Sequence, residues 1–356
     1  MWRILSVKTP LPQTLRNSAT VVLAAQTSSR PGANGFNYKV MLMKRVGTGS
    51  FKYAHVFPGG NTDNTDTSPA WQSLLSVKRP DQASRIAGLR ELFEECRLLM
   101  VQPRQAILSG AKPEVTLVQD PATLTSLQTA VLECPEEYQE WFTRNPHWSP
   151  ATEALLPLAH WITPMTYPKR YNTRFYLLPF SPTGLDSPGP NSDTNFPLPE
   201  VHLHAHENSE FAWFTPTEIL EQYATGAVHM LPPQWYVLND MRAHPTLQGL
   251  VNRTRRTPVV PFLPHFQRLP TGRFASLLPG DPEHPYSYLG DAPQADSAVP
   301  GEEDTSWFHG RVRGPEEDGT SARHRLIFDR EQGQIMNLEL QRNLTFETLP
   351  TPDSHL

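Results

Sequence analysis

Cysteine is scarce: Cys96 and Cys134 are the only two in 356 residues. That excludes a disulfide framework and a cysteine-based zinc site, and it fits a reducing or redox-neutral compartment. Long apolar runs are missing as well. Ala19-Thr20-Val21-Val22-Leu23-Ala24-Ala25 has the length of a buried strand, far below the roughly 20 residues that span a bilayer, so a soluble chain without membrane association is expected. No Asp or Glu precedes Asp63, whereas Arg3, Lys8, Arg16, Arg30, Lys39, Lys44, Arg45 and Lys52 all do. This basic stretch reads either as a lobe facing a phosphorylated ligand or as an ordinary basic strand region. The net charge of −5 gives no bulk attraction for nucleic acid, which is not expected as a partner. A nucleophile-elbow motif is also lacking, which leaves a serine hydrolase without support.

Proline is abundant instead. Its 37 residues are about twice average usage and predict many irregular connections around a core built from the 38% of hydrophobic residues. Residues 18–27 and 38–45 read as buried strands joined by the Pro-Gly-Ala-Asn-Gly turn at 31–35. Residues 82–99 form the clearest helix. The proline-punctuated stretch 101–160 suggests further helices. Residues 174–180 and 210–214 read as strands. Thr215-Pro216-Thr217-Glu218 carries the signature of a helix start. Residues 325–329 and 335–340 read as a hairpin around Gln332-Gly333. Strands mixed with helices, without a regular alternation, argue for a mixed α/β sandwich.

On the helix around residue 90, a rotation of 100° per residue puts Glu95 at about 40° and Glu94 at about −60° from Glu91. Ile86, Leu89, Leu92, Phe93 and Cys96 fill the opposite side as an apolar stripe. Three neighbouring carboxylates repel one another. A divalent cation with oxygen ligands removes that conflict, and Mg²⁺ suits one to three carboxylates plus a substrate phosphate. Taken alone, Glu-x-x-Glu-Glu is more often a solvated acidic face.

Its context decides between the two. Phe57-Pro58-Gly59-Gly60, then Arg90-Glu91-Leu92-Phe93-Glu94-Glu95 and an apolar residue at Leu98, resembles the Nudix box, G-x5-E-x7-R-E-U-x-E-E-x-G-U with U apolar. With Gly60 as the first glycine, Asp66 stands where the box has its first Glu. Two departures occur. The spacer from Asp66 to Arg90 holds 23 residues rather than seven, and Arg97 replaces the last Gly, where a left-handed backbone costs a non-Gly residue about 1–2 kcal/mol. The resemblance implies an αβα sandwich of α+β type at 15–255 with a mixed sheet and inserts at 67–83, 101–160 and 181–200. A Pro-rich C-terminal extension, 256–356, follows.

The same resemblance implies Mg²⁺ or Mn²⁺ held by Glu91, Glu94, Glu95 and the Gly59 carbonyl. Glu94 is the catalytic carboxylate, Arg90 orients a box carboxylate, and Arg45 and Gly60 meet the substrate. Glu210 is the candidate general base outside the box, with Glu207 in reserve. The segment 50–60 resembles the peroxisomal coenzyme A diphosphatase branch, as do Trp161-Ile162-Thr163-Pro164, residues 169–176 and Trp213-Phe214-Thr215-Pro216-Thr217-Glu218. That branch implies a nucleotide substrate, coenzyme A or acyl-coenzyme A, cleaved to 3′,5′-ADP and (acyl-)4′-phosphopantetheine. The upstream Arg and Gly pattern of other coenzyme A-cleaving members is not reproduced, so NADH, ADP-ribose, a dinucleoside polyphosphate or a non-catalytic binding role stay open as alternatives. Ser354-His355-Leu356 matches the Ser-Lys-Leu type of address read by a peroxisomal import receptor. The acid-free N-terminus suggests a mitochondrial address instead, and cytoplasm is the third option. His202, His204 and His206 at period two would share one face of a strand, but no nearby Cys or Asp completes a zinc set.

Overall fold

The computed structural model describes residues 15–47, 52–75, 79–110, 114–164, 166–182, 184, 194–204, 208–285, 310–313, 323–331 and 334–348. Ser354-His355-Leu356, Glu207, His206 and the Gln332-Gly333 turn lie outside them.

Four strands open the fold: β1 (Leu15–Gln26), β2 (Tyr38–Arg45), β3 (Ala54–Val56) and β4 (Gly59–Asn61). A short helix α1 (Trp71–Leu74) precedes α2 (Gln82–Cys96), the helix of the acidic motif. A helical excursion follows through β5 (Met100–Pro103), α3 (Arg104–Leu108), β6 (Thr116–Leu117), α4 (Pro121–Glu133), α5 (Glu136–Arg144) and β7 (Trp148–Pro150). The chain then returns to the central sheet with β8 (Leu156–Ile162), β9 (Arg170–Phe180) and β10 (Asn208–Phe214). Next come α6 (Pro216–Ala224), β11 (His229–Met230), α7 (Pro232–Met241), α8 (Leu247–Arg256) and β12 (Pro261–Phe262). The central sheet runs β11-β3-β2-β1-β9-β8-β12, with β10 paired to β2 and β4 to β1. It is mixed: β1 pairs parallel with β9 but antiparallel with β2 and β4. A sequence-only reading of 101–160 as an insert therefore overshoots, because Leu156–Ile162 pairs antiparallel with β9 inside the sheet.

Both faces of the sheet are covered, which is why β1 reads as an unbroken apolar run rather than an alternating one. Ala19, Val21, Leu23 and Ala25 point to the layer of α2, α4 and α5, and Val22 and Ala24 to the layer of α6, α7 and α8. Helix α2 lies close on β1 at Gly88, where a Cβ would come within 3.0 Å of Val21 Cγ2. Trp71, within the inserted spacer, packs against Tyr138 and Phe142 of α5.

The helix ends at Cys96, three residues short of the range read from sequence. Arg97 adopts the left-handed conformation (φ 57°, ψ 27°) that the box reserves for Gly. Its guanidinium donates to Gln128 Oε1 (2.8 Å) and Thr125 Oγ1 (3.0 Å) on α4, which offsets the backbone cost. Residues 201–204 form no strand. They run along the end of α2, where the His202 and His204 N–H groups donate to the Cys96 and Glu95 carbonyls.

The C-terminal part adds β13 (His265–Arg268), β14 (Phe274–Leu277), β15 (Gly310–Arg313), β16 (His324–Glu331), β17 (Gln334–Arg342) and β18 (Thr345–Thr348). Strands β13, β14, β16 and β17 form a second antiparallel sheet. It has no core of its own on its inner side: Leu278, Leu326, Phe328 and Leu338 belong to the same buried cluster as Trp161, Tyr236 and Phe262. Among the described residues, no helix is long and apolar enough to cross a membrane.

Candidate active site

Strand β4 lies beside β1, and α2 packs above both, so the Gly59-Gly60 pair faces the acidic turn of the helix. A Cβ on Gly59 would come within 2.3 Å of the Ala19 carbonyl oxygen. A Cβ on Gly60 would stand 2.4 Å from the Glu91 carboxyl carbon. Both positions thus require the absence of a side chain, for close backbone approach in one case and for the Glu91 carboxylate in the other.

Arg90 organises the acidic cluster. Its guanidinium, 4% exposed, grips Asp66 through Nε (3.0 Å) and Nη2 (2.9 Å). Nη2 also reaches the Asn61 carbonyl (3.0 Å), while Nη1 donates to Glu91 Oε1 (3.1 Å) and Glu94 Oε1 (2.8 Å). Asp66 also accepts the Asp63 N–H at 2.8 Å, closing a capping box on the 3-10 turn Asn64–Thr67. Despite the lengthened spacer, the chain returns Asp66 to within hydrogen-bond reach of Arg90. Burial disfavours the Arg90 charge, and Asp66, Glu91 and Glu94 outweigh that penalty, so its pKa is raised.

Glu95 is buried and doubly held. Gly59 N–H donates to its Oε2 at 2.9 Å, and Asn208 Nδ2 to its Oε1 at 3.1 Å. Glu91 is pushed up to about 8 by burial, against Arg90 and reinforced by Glu94 and Glu95. Among the described residues, no three Asp, Glu, His or Cys side chains converge as they stand into a metal-holding group. The donor chemistry nevertheless fits a hard divalent cation: three carboxylates on about one turn of helix, one of them with its proton affinity raised by burial, beside a glycine that leaves room next to it.

A cavity of about 590 Å³ opens from this cluster. Gly59, Gly60, Arg90 and Glu91 are in its lining, together with Arg45, whose Nε has no hydrogen-bond partner. Glu94 and Glu95 sit behind it, held by Arg90, Gly59 and Asn208. Glu210 is elsewhere. Its carboxylate is exposed, pairs with Lys44 at 3.2 Å, and does not line the cavity. The residue of that strand that reaches the cluster is Asn208, beyond a bulge that shifts the register between Asn208 and Glu210.

Several contributors carry no acid–base signature in the sequence. Trp161, Thr163, Pro164, Tyr171 and Thr173 line the cavity from β8, β9 and their connection. The two segments quoted for their resemblance, 161–164 and 169–176, thus meet at one place.

A mixed sheet between helical layers, with a Gly-Gly strand set against an Arg-Glu-x-x-Glu-Glu helix, defines a Nudix hydrolase. The chain belongs to the family described as NUDT19 Nudix domain, whose model matches residues 15–82 and 79–241. It is 26% identical over 277 residues to the acyl-coenzyme A diphosphatase NUDT19 of Xenopus laevis, covering 64% of this chain and 69% of that protein. The protein of the same name from Gallus gallus is 26% identical over 332 residues, covering 78% and 82%. Among solved structures, a Nudix hydrolase from Alicyclobacillus acidocaldarius aligns with a TM-score of 0.50 at 22% identity, over 66% of this chain and 94% of that one. This last likeness speaks to the fold alone.

Proposed function

We propose that the protein hydrolyses the diphosphate linkage of coenzyme A or an acyl-coenzyme A with a divalent cation, Mg²⁺ or Mn²⁺, releasing 3′,5′-ADP and (acyl-)4′-phosphopantetheine. The observation that carries this reading is that Gly59, Gly60, Arg90 and Glu91 line a cavity large enough for a nucleotide derivative, with Asp66 and Glu94 bonded to Arg90 and Glu95 to Gly59. The acyl-coenzyme A activity named for the Xenopus and Gallus relatives supplies the substrate class.

In the reaction, water adds across the bridging P–O bond: the hydroxyl joins one phosphorus, and the proton ends on the other phosphate. The cation, when bound, neutralises the diphosphate and supplies activated water; Glu91, Glu94 and Glu95 would hold it. Arg90 keeps the carboxylates of Glu91 and Glu94 side by side, and Asp66 keeps Arg90 in place. The Gly59 N–H and Asn208 fix Glu95. Arg45, which lines the same cavity, serves the substrate phosphates through its guanidinium charge. Peroxisomal delivery through Ser354-His355-Leu356 belongs to the same proposal.

The test is a substrate panel of coenzyme A, acetyl-coenzyme A, NADH, ADP-ribose and diadenosine tetraphosphate, each with Mg²⁺, Mn²⁺ and chelator. Coenzyme A compounds are expected to be turned over best, with activity lost in chelator and in Glu94→Gln and Glu95→Gln. A clear preference for another member of the panel overturns the substrate, and undiminished turnover in the double variant overturns the site.

A further inference from the structure

The cavity lining is of two kinds, charged and apolar. Besides Glu91 and Arg45, the lining takes Phe266 of β13 and Ile335 of β17 from the C-terminal sheet, with Tyr167 beside Phe266. Phe266 and Ile335 are only partly buried, so apolar surface faces the cavity. The wall is held in place. The Phe266 ring meets Tyr167 edge-on at 6.2 Å and Phe328 at 5.9 Å, and Phe328 stacks on Phe274 at 5.8 Å. Two nearly buried polar side chains also line this cavity. The Trp161 indole nitrogen and the Gln234 amide oxygen have no hydrogen-bond partner, although their residues are only 4% and 7% exposed. Both atoms are closed to a water-sized probe, so a ligand satisfies them only as the two lining side chains turn toward it, which recovers the cost of leaving them unpaired.

We infer that Phe266, Ile335, Trp161 and Gln234 form a selectivity subsite for the group joined to the diphosphate. That group is neutral and planar and carries both a hydrogen-bond donor and an acceptor, as a purine or a secondary amide does. The inference rests on the proposed function, which puts the diphosphate beside Glu91.

Calorimetric titration of the full chain with adenosine 3′,5′-bisphosphate and with 4′-phosphopantetheine distinguishes the two sources of that chemistry. Phe266→Ala and Gln234→Leu are expected to weaken one fragment three- to twentyfold and leave the other within twofold. KM for the hydrolysed substrate should rise by the same factor, with kcat within threefold. Phe266→Leu, which keeps an apolar side chain, should recover most of the loss. Weakening of the bisphosphate assigns the wall to the purine; weakening of phosphopantetheine assigns it to the amide arm. Unchanged affinities and KM in both variants overturn the subsite. So does equal loss for both fragments. If coenzyme A is not a substrate, the functional reading falls separately. The same KM comparison on whichever diphosphate is turned over then decides the subsite, and an unchanged KM overturns it.

Discussion

Replacing Asp66 probes the support beneath the acidic cluster. Asp66 is 2% exposed and receives two guanidinium bonds from Arg90, at 3.0 and 2.9 Å. Removing one partner of a buried ion pair typically costs about 3–5 kcal/mol, because the remaining charge stays desolvated. Arg90 keeps Glu91, Glu94 and the Asn61 carbonyl, which places Asp66→Ala near the lower bound, about 3 kcal/mol. Losing the Asp63 N–H contact adds about 1 kcal/mol more. Asp66→Asn keeps the shape and one acceptor, and about 2 kcal/mol is expected. Urea unfolding read by tryptophan fluorescence measures both. A second consequence separates this support from generic packing. An Arg90 relieved of Asp66 draws harder on Glu91 and Glu94 and competes with a bound cation. The Mg²⁺ concentration for half-maximal turnover should therefore rise by about tenfold, the range seen when an outer partner of a metal ligand is lost. If both variants stay within about 0.5 kcal/mol of the parent and keep its metal requirement, the Asp66–Arg90 pair is not the support described.

Gly60→Ala should change stability little, since only the flexible end of Glu91 must move, yet lower kcat by about 100-fold through that displacement; circular dichroism melting and initial rates separate the two. Glu91 holds its proton more tightly when folded than when unfolded, so the metal-free protein loses stability as pH rises from its ordinary range through about 8. Mg²⁺ displaces that proton, and its affinity should increase over the same interval, as titration calorimetry at pH 6.5 and 8.5 would reveal. Buried His324 has its pKa lowered to about 4 by desolvation. The folded state then resists protonation that the unfolded state accepts, and stability should fall by about 3 kcal/mol from pH 6.5 to 4, a fall that His324→Gln reduces. Arg97→Ala keeps the left-handed backbone but loses the contacts to Gln128 and Thr125, and should cost about 1–2 kcal/mol. Arg97→Gly relieves the backbone as it loses them, and should stay within about 1 kcal/mol of the parent; equal losses would show that the conformation of residue 97 is immaterial.

Strands β1 and β2 were legible because a sheet covered on both faces needs uninterrupted apolar runs. The acidic helix was legible from its period and from the glycine pair upstream. Its end was read too far because Leu98 and Leu99 continue the apolar pattern, whereas the stop at Arg97 depends on α4, which begins 24 residues later. Strand β8 hid among prolines, since Pro157 looks like a break until its partner on β9 is known. Glu210 illustrates a different limit. Strand, acidic residue and nearby Trp213 were all read correctly, yet a one-residue bulge sends Asn208 to Glu95 and leaves Glu210 with Lys44. The cavity's apolar wall was invisible from sequence because it joins Trp161 to Phe266 and Ile335, and nothing local to any of these marks the meeting.

Cutting the chain after Arg256, at the limit of the family match and the helices that follow it, would not yield a smaller working enzyme. Trp161 leans on Phe262 at 5.0 Å and on Tyr236, which in turn bonds His324 and Arg342. Such a fragment would bare aromatic surface that Phe262, His324 and Arg342 now cover, and it would lose Phe266, Ser276 and Ile335 from the cavity lining. Cavity shape and sheet stability are thereby coupled: a substitution in the C-terminal strands that reshapes the one should also shift the other.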